Sequence, residues 1–220
     1  MERKIEFTPI KITFYILGFA LVGLGVNLMS RSGLGLGAWD TVTFNLNELL
    51  NESITKGMTS WIISIVIMTF VIVYNKKWVL FFMLVPVFLV GVSIDFWDLI
   101  VFGKEYVPDS QFVKVLFFIV GAGILPLGLA SVVTSHFPAF VFDELTLVVM
   151  KMFNIKTITV ARLGIEILGI SLGIMFGFLA GIGFGYVSIG SIIFALVLPP
   201  LFDFYVRTLG RFHHAEDHIE

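Results

Sequence analysis

Trp39-Asp40-Thr41-Val-Thr-Phe-Asn-Leu-Asn-Glu-Leu-Leu50 joins an aromatic–aspartate pair to a short amphipathic stretch. The same pattern returns 103 residues later as Phe142-Asp143-Glu144-Leu-Thr-Leu-Val-Val-Met-Lys-Met-Phe153. That offset also carries the apolar run at Ile12 onto the run at Val115. The sequence therefore predicts two copies of one unit, each made of a span, a half-helix and two further spans.

Composition narrows the class of protein. Of the 220 residues, 58% are hydrophobic and 14% are charged, and the net charge is -2. Soluble domains average about 45–50% apolar and about 25% charged residues, so a water-soluble enzyme, a disordered regulator and a basic nucleic-acid binder are excluded. Cysteine is absent from the sequence, which excludes disulfides and thiol chemistry. No Ser-His-Asp arrangement or zinc motif points to an enzyme, and we expect no cofactor and no metal.

Long apolar runs predict an all-α membrane protein with six transmembrane helices. A span needs about 20 residues. We expect one integral membrane domain over residues 1–220, with the first repeat at about 12–102, the second at about 112–206 and a cytoplasmic tail at 207–220. The predicted spans are Ile12–Met29, Met58–Tyr74, Trp78–Leu99, Phe112–Val133, Ile158–Ala180 and Val187–Val206.

Basic residues predict the orientation, because Lys and Arg accumulate in short cytoplasmic segments. With the N-terminus inside, ten basic residues fall on the inner side and four on the outer, so both termini are expected in the cytoplasm. The inner set is Arg3, Lys4, Lys11, Lys76, Lys77, Lys151, Lys156, Arg162, Arg207 and Arg211, and the outer set is Arg31, Lys56, Lys104 and Lys114.

An odd number of spans in each copy makes the second copy enter the membrane from the opposite side. Inverted repeats of this kind form the binding site of many secondary transporters where interrupted segments meet. The two amphipathic stretches are then re-entrant half-helices. The alternative is that both lie flat on the membrane surface.

The segment Gly33-Leu-Gly-Leu-Gly37-Ala-Trp39-Asp40 resembles the YitT/YczE family of bacterial multispan membrane proteins. Further similarity occurs at Ala161-Arg162-Leu-Gly-Ile-Glu166, at Gly190-Ser191-Ile-Ile-Phe-Ala-Leu and at Pro199-Pro-Leu-Phe-Asp203. The resemblance covers nearly the whole chain and implies a multi-pass protein of the bacterial cytoplasmic (inner) membrane. It implies a fold and almost no mechanism.

Glu166 is the strongest candidate for chemistry, because a carboxylate inside a membrane is costly and is commonly functional. It lies four residues after Arg162, so the two can neutralise each other on one helix face. An ion pair that only fixes helix packing is the alternative. Gly169, Gly173, Gly177, Gly181 and Gly185 follow at intervals of four and predict a ridge for close helix packing.

Asp40 and Asp143 each precede an amphipathic stretch. Each can cap its helix by accepting backbone N–H groups, or can line a translocation path if the half-helices are re-entrant. Proton coupling would require Asp40, Asp143 or Glu166 to take up and release a proton. Asp95 and Asp98 are expected at the outer end of the third span, exposed to headgroups. The candidate substrate-binding residues are Gly37, Trp39, Asp40, Asp143, Arg162 and Glu166, to which the family resemblance adds Gly190 and Ser191.

These features predict a small-solute transporter that works by alternating access, with an unknown substrate. The alternative is a non-transporting accessory or scaffold protein for a secretion or efflux system, and an intramembrane enzyme would need a nucleophile beside a base. The expected partners are the lipid bilayer and a small solute, without nucleic acid, and a homo-oligomer is left open.

Overall fold

The computed structural model describes residues 8–76, 78–103, 106–138 and 140–216. Over these ranges the chain folds into eight α-helices and contains no β-strand. The helices are α1 (Pro9–Ser32), α2 (Ala38–Leu49), α3 (Lys56–Asn75), α4 (Leu84–Asp95), α5 (Gln111–Thr134), α6 (Val141–Met152), α7 (Ile158–Leu179) and α8 (Ile189–Glu216).

Among the described residues, six segments are long and apolar enough to cross a membrane, and they match the six predicted spans to within a few residues. Five are α1, α3, α5, α7 and the first part of α8. The remaining span is composite, because a 3₁₀ turn (Trp78–Met83) leads into α4 and a π-helix (Phe96–Val101) continues it. The outer surface of the helix bundle carries large apolar side chains, such as Phe112 of α5, which is 76% exposed. This is expected for a multi-pass protein surrounded by lipid tails.

An even number of spans would return a chain to the side of the membrane where it starts. We call the side that bears the start of α1 and the end of α8 the terminal face, and the opposite side the far face. Of the basic residues that orient the chain, Arg3, Lys4, Lys77 and Lys104 lie outside the described residues. Within the segment predicted as a tail, α8 continues as a helix to Glu216.

The centre of the molecule is the antiparallel pair α1 and α5. A methyl group built on Gly18 would lie 2.9 Å from the Gly128 carbonyl oxygen, and one built on Gly121 would lie 2.8 Å from that of Gly25. Glycine lets the two backbones approach closely. Gly121 lies 103 residues after Gly18, and Gly128 lies 103 residues after Gly25. The contacts Gly18–Gly128 and Gly25–Gly121 are therefore equivalent under the repeat.

The short helices α2 and α6 pack lengthwise against long ones. Gly169, the twelfth of the 22 residues of α7, meets Ala38 at the start of α2, and Gly173 meets Thr41. Thus α2 begins halfway along α7 and runs parallel to it toward the far face. In the other half, Val141, Leu145 and Val148 of α6 share a buried cluster with Ile67 and Val71 of α3.

The predicted glycine ridge is correct for only three of its five members. Gly169, Gly173 and Gly177 are buried on α7, but α7 ends at Leu179. Gly181 and Gly185 lie beyond it with φ of +78° and +54°. This left-handed conformation suits glycine, so these two residues turn the chain toward α8 and do not extend the ridge.

Candidate functional site

A cavity of about 130 Å³ lies between the two halves of the chain, and every one of the eight helices contributes to its wall. The first turns of α2 and α6 enter it from opposite halves. Six of the eight predicted site residues line it, namely Gly37, Trp39, Asp40, Asp143, Arg162 and Glu166. A water molecule needs roughly 10–15 Å³ of cavity volume measured in this way, so the cavity has room for on the order of ten waters or one small solute.

Two aromatic rings meet in the cavity wall. The ring centroids of Trp39 and Phe142 are 4.8 Å apart, and the ring planes are inclined by 32°. These residues occupy the same position in the two sequence repeats. The contact therefore joins the corresponding ends of α2 and α6, and it brings Asp40 and Asp143 to the same cavity.

The expectation that Asp40 and Asp143 cap these helices is wrong. Helix α2 has Gly37 as its N-cap residue and α6 has Phe140, and neither has a side-chain cap hydrogen bond. Both helices begin two residues earlier than the aspartates, so each carboxylate lies inside the first turn. There a negative charge is still favoured by the helix dipole, but its oxygens remain available to the cavity.

Arg162 forms ion pairs with two of the cavity carboxylates, those of Asp143 and Glu166. Its Nη1 is 2.7 Å from Asp143 Oδ1, and its Nε is 3.9 Å from Glu166 Oε1. The sequence spacing predicts the Glu166 contact, whereas the shorter contact joins α7 to α6. About a third of the Arg162 side chain and 39% of that of Asp143 are exposed, compared with 15% of Glu166. Arg162 also lies only four residues into α7, so the more exposed part of the site is the part nearer the terminal face.

Asp40 is half-buried in the cavity wall, and its carboxylate makes no hydrogen bond or ion pair to any described residue. Its carboxyl group interacts electrostatically with that of Glu166. The indole Nε1 of Trp39 is buried and has no acceptor among the described residues. Buried polar groups are normally satisfied, so these two groups can serve a bound molecule.

Gly190 and Ser191 are outside the cavity wall that the described residues form. The backbone N–H of Gly190 donates to the Leu34 carbonyl over 3.0 Å, and Ser191 Oγ accepts from the Leu36 N–H over 3.0 Å. The start of α8 thereby fixes the glycine segment that leads to Gly37. Gly35, with φ of +131°, packs against the Ser191 backbone.

Several lining residues carry no motif in the sequence. Ser60 and Ser64 of α3 line the cavity one helical turn apart, and Thr43 lies three residues after Asp40. The i, i+4 spacing of two serines in an apolar span is the signal that could have found them. Phe140, Phe194 and Phe202 form aromatic parts of the wall. Nothing in the sequence distinguishes these three phenylalanines from those that only pack in the core.

A second charged group, the far-face cluster, consists of Arg31, Lys56 and Asp98. Asp98 Oδ1 is 2.7 Å from Arg31 Nη2 and 3.1 Å from Lys56 Nζ. The expectation that Asp98 is exposed is wrong, because its side chain is 3% exposed. Asp95 is also engaged, since its oxygens accept from Thr55 Oγ1 and from the Gly57 N–H at the start of α3. The cluster joins α1, α3 and the composite span at the far face.

The far end of α2 is held by Asn45, which is fully buried. Its Nδ2 donates to the Gly173 carbonyl over 2.8 Å and to the Phe184 carbonyl over 3.2 Å, and its Oδ1 accepts from the Tyr186 N–H. Tyr186 also donates from its hydroxyl to Glu48. Burial raises the pKa of the Tyr186 phenol and the Glu48 carboxylate raises it further, so the phenol keeps the proton it donates.

A family model described as DUF6198, a family of unknown function, matches residues 9–207. The chain belongs to this family. The DUF6198 match, together with the relatives below, confirms the predicted membership of a YczE-like family of bacterial membrane proteins.

Three relatives are similar over much of the chain. The uncharacterized protein YyaS of Bacillus subtilis is 27% identical over 79% of this chain and 84% of its own length. The uncharacterized membrane protein YczE of the same organism is 26% identical over 63% of this chain and 62% of its own. An uncharacterized protein of Haemophilus influenzae is 23% identical over 92% and 86%. No solved structure matches the chain.

Proposed function

We propose that the protein transports a small solute across the membrane by alternating access, with the cavity as its binding site. The observation that carries this proposal is the convergence of Trp39 with Phe142 and of Asp40 with Asp143 in one cavity at the junction of the two halves. Corresponding residues of a duplicated chain meet in this way where a two-fold axis relates the copies.

We further propose that the two copies are inverted and that α2 and α6 are re-entrant. The antiparallel packing of α1 on α5 supports the inversion, because these helices are equivalent in the two copies. The contact of Ala38 with Gly169 supports the re-entrant arrangement, since it starts α2 halfway along a spanning helix. Half-helices that begin at midplane are typical of transporter sites.

In this proposal the present conformation is open to the terminal face and closed at the far face. The exposed fractions of Arg162 and Asp143 support the first part. The far-face cluster supports the second, because its buried ion pairs tie α1, α3 and the composite span together at the far face. Transport then requires these ion pairs to separate while the terminal side closes.

Single cysteines test the proposal, because the chain contains none of its own. Ser64→Cys places a thiol in the cavity, and Ser171→Cys places the matched control on the exposed side of α7. A membrane-impermeant maleimide is applied from each side of oriented vesicles. We expect Ser64→Cys to react from the terminal face at rest and from the far face in a fraction that changes with an imposed proton gradient, whereas Ser171→Cys does not react from either side.

Reaction of Ser64→Cys from one side only under every gradient and solute would overturn alternating access. That result would favour the accessory or scaffold alternative. If α2 lay flat on the membrane surface, a cysteine at Thr43 would be modified from the far face alone in the resting state. That second result would overturn the re-entrant arrangement.

A further inference from the structure

The charges of the cavity do not balance. Its wall contains three carboxylates, on Asp40, Asp143 and Glu166, and one cationic side chain, on Arg162. The guanidinium lies 2.7 Å from Asp143 and 3.9 Å from Glu166, so it is already shared by two acids. Asp40 has no cationic partner among the described residues. A half-buried carboxylate without a cationic partner loses part of its hydration at a cost in free energy, and a bound cation reduces that cost.

The rest of the wall is aromatic and aliphatic. The Trp39 and Phe142 rings meet beside the carboxylates, and Phe140, Phe194 and Phe202 lie around them. The face of an aromatic ring attracts a cation, most strongly for tryptophan. Apolar walls bind the hydrocarbon part of a ligand. Acids at one point and rings around it are the combination that recognises an organic cation.

A bare metal ion fits this wall poorly. Divalent cations such as Ca²⁺ take six to eight oxygen ligands. No group of three acidic or imidazole side chains among the described residues is placed to hold a metal ion. Anions fit less well still, since the cavity carries more negative than positive charge.

We propose that the cavity binds a small monovalent organic cation, such as a substituted ammonium ion, as its transported solute. The cationic centre lies between Asp40 and Glu166, and the apolar substituents lie against Trp39 and Phe142. The size of the cavity, about 130 Å³, limits the ligand to a small molecule. The identity of this ligand as a transported solute rests on the proposed function, but its binding is measured independently of transport.

Binding is tested with the purified full chain in detergent at constant ionic strength. The probes are benzyltrimethylammonium, benzoate and benzyl alcohol, which share a ring and differ in charge, and the readouts are tryptophan fluorescence and the thermal unfolding temperature. We expect saturable binding of the cation and none of benzoate or benzyl alcohol over the same concentration range. Equal or tighter binding of benzoate by the unmodified protein would overturn the proposal.

Matched variants then locate the site. Asp40→Asn is expected to weaken binding of the cation about tenfold or more, whereas Asp109→Asn, on an exposed carboxylate outside the cavity, leaves it unchanged. Trp39→Leu is expected to weaken binding several-fold. The control, Trp61→Leu, disrupts the Trp61–Phe88 stack on the α3–α4 surface and should leave binding unchanged. Unchanged affinity in both Asp40→Asn and Trp39→Leu would overturn the assigned site.

The two proposals fail separately. If Ser64→Cys changes the side from which it reacts but benzyltrimethylammonium does not bind, alternating access stands and the cation assignment is wrong. If the cation binds at Asp40 but access stays fixed to the terminal face, the site is correct and transport is wrong.

Discussion

Arg162 carries the same positive charge as the ligand that we propose, so the direction of its effect on binding can be predicted. Its guanidinium neutralises Asp143 and part of Glu166. Replacing it by Gln leaves the cavity more negative, so we expect Arg162→Gln to bind benzyltrimethylammonium more tightly, about threefold to tenfold, while Asp40→Asn binds it more weakly. Fluorescence titration measures both.

The control for Arg162→Gln is Arg207→Gln. Arg207 forms an i, i+4 ion pair with Asp203 and is 73% exposed, so its loss costs little and changes no cavity charge. A decrease in cation affinity in Arg162→Gln, in protein that remains folded, would contradict the charge argument.

Asn45 gives a prediction of stability. Its fully buried amide connects α2 with α7 and with the segment before α8 through three hydrogen bonds. Asn45→Ala leaves two carbonyls and one N–H without this partner, and each buried unsatisfied group costs about 1–3 kcal/mol. We expect a loss of about 3 kcal/mol in the free energy of unfolding in detergent. Asn75→Ala, which removes an exposed contact of 3.4 Å with Lys151, should stay within about 0.5 kcal/mol.

The residues differ in how far the sequence predicts them. Asp40, Asp143, Arg162 and Glu166 stand out because charge is rare in an apolar chain, and all four line the cavity. The burial of Asp98 could not be predicted, because its partner Arg31 is 67 residues away and only the packing of α1 against the composite span brings them together. Capping was mispredicted because both short helices begin before their aspartates.

At the scale of elements, hydropathy alone predicts the positions of the six spans, but it does not predict where the short helices lie. The spans are apolar over about 20 residues and could have no other stable location than lipid or a protein core. The short helices α2 and α6 are amphipathic, so their sequences fit both a membrane surface and a protein interior. The contacts of α2 with α7 and of α6 with α3 favour the protein interior, and those contacts depend on residues more than 70 positions away.

The fit of α2 against α7 gives a prediction with an internal control. A Cβ added to Gly173 would lie 2.5 Å from Thr41 Oγ1 and 3.1 Å from Thr41 Cβ, whereas one added to Gly164 meets no atom within 4 Å. We expect Gly173→Ala to lose about 1–3 kcal/mol of stability through overpacking. Gly164→Ala, on the same helix, should be neutral or gain up to about 1 kcal/mol because alanine favours helix.

Thermal unfolding in detergent measures the pair. Equal unfolding temperatures for the two variants would show that α2 does not press on α7 at Gly173. Lower cation affinity in Gly173→Ala is also expected, because a shift of α2 moves Trp39 and Asp40.

At the scale of the whole molecule, the far-face cluster predicts how the resting state is maintained. Asp98→Asn leaves the buried Arg31 guanidinium and the Lys56 ammonium without their anion. Breaking a buried ion pair from one side costs about 3–5 kcal/mol. We expect Asp98→Asn to increase modification of Ser64→Cys from the far face, with lower thermal stability.

Asp109→Asn in the same Ser64→Cys background is the control, since Asp109 is exposed. Unchanged labelling from the far face in folded Asp98→Asn protein would show that these charges do not close that side.

The cluster has one more consequence, which follows from the repeat. The positions 103 residues beyond Arg31, Lys56 and Asp98 are Thr134, Thr159 and Leu201, all uncharged. Under the proposed alternating access, a perfectly duplicated carrier would be energetically degenerate, spending equal time facing either compartment. The far-face cluster, which the second copy lacks at the equivalent positions, would then stabilise one orientation over the other. In that proposal, divergence between the copies sets the compartment that the empty protein faces.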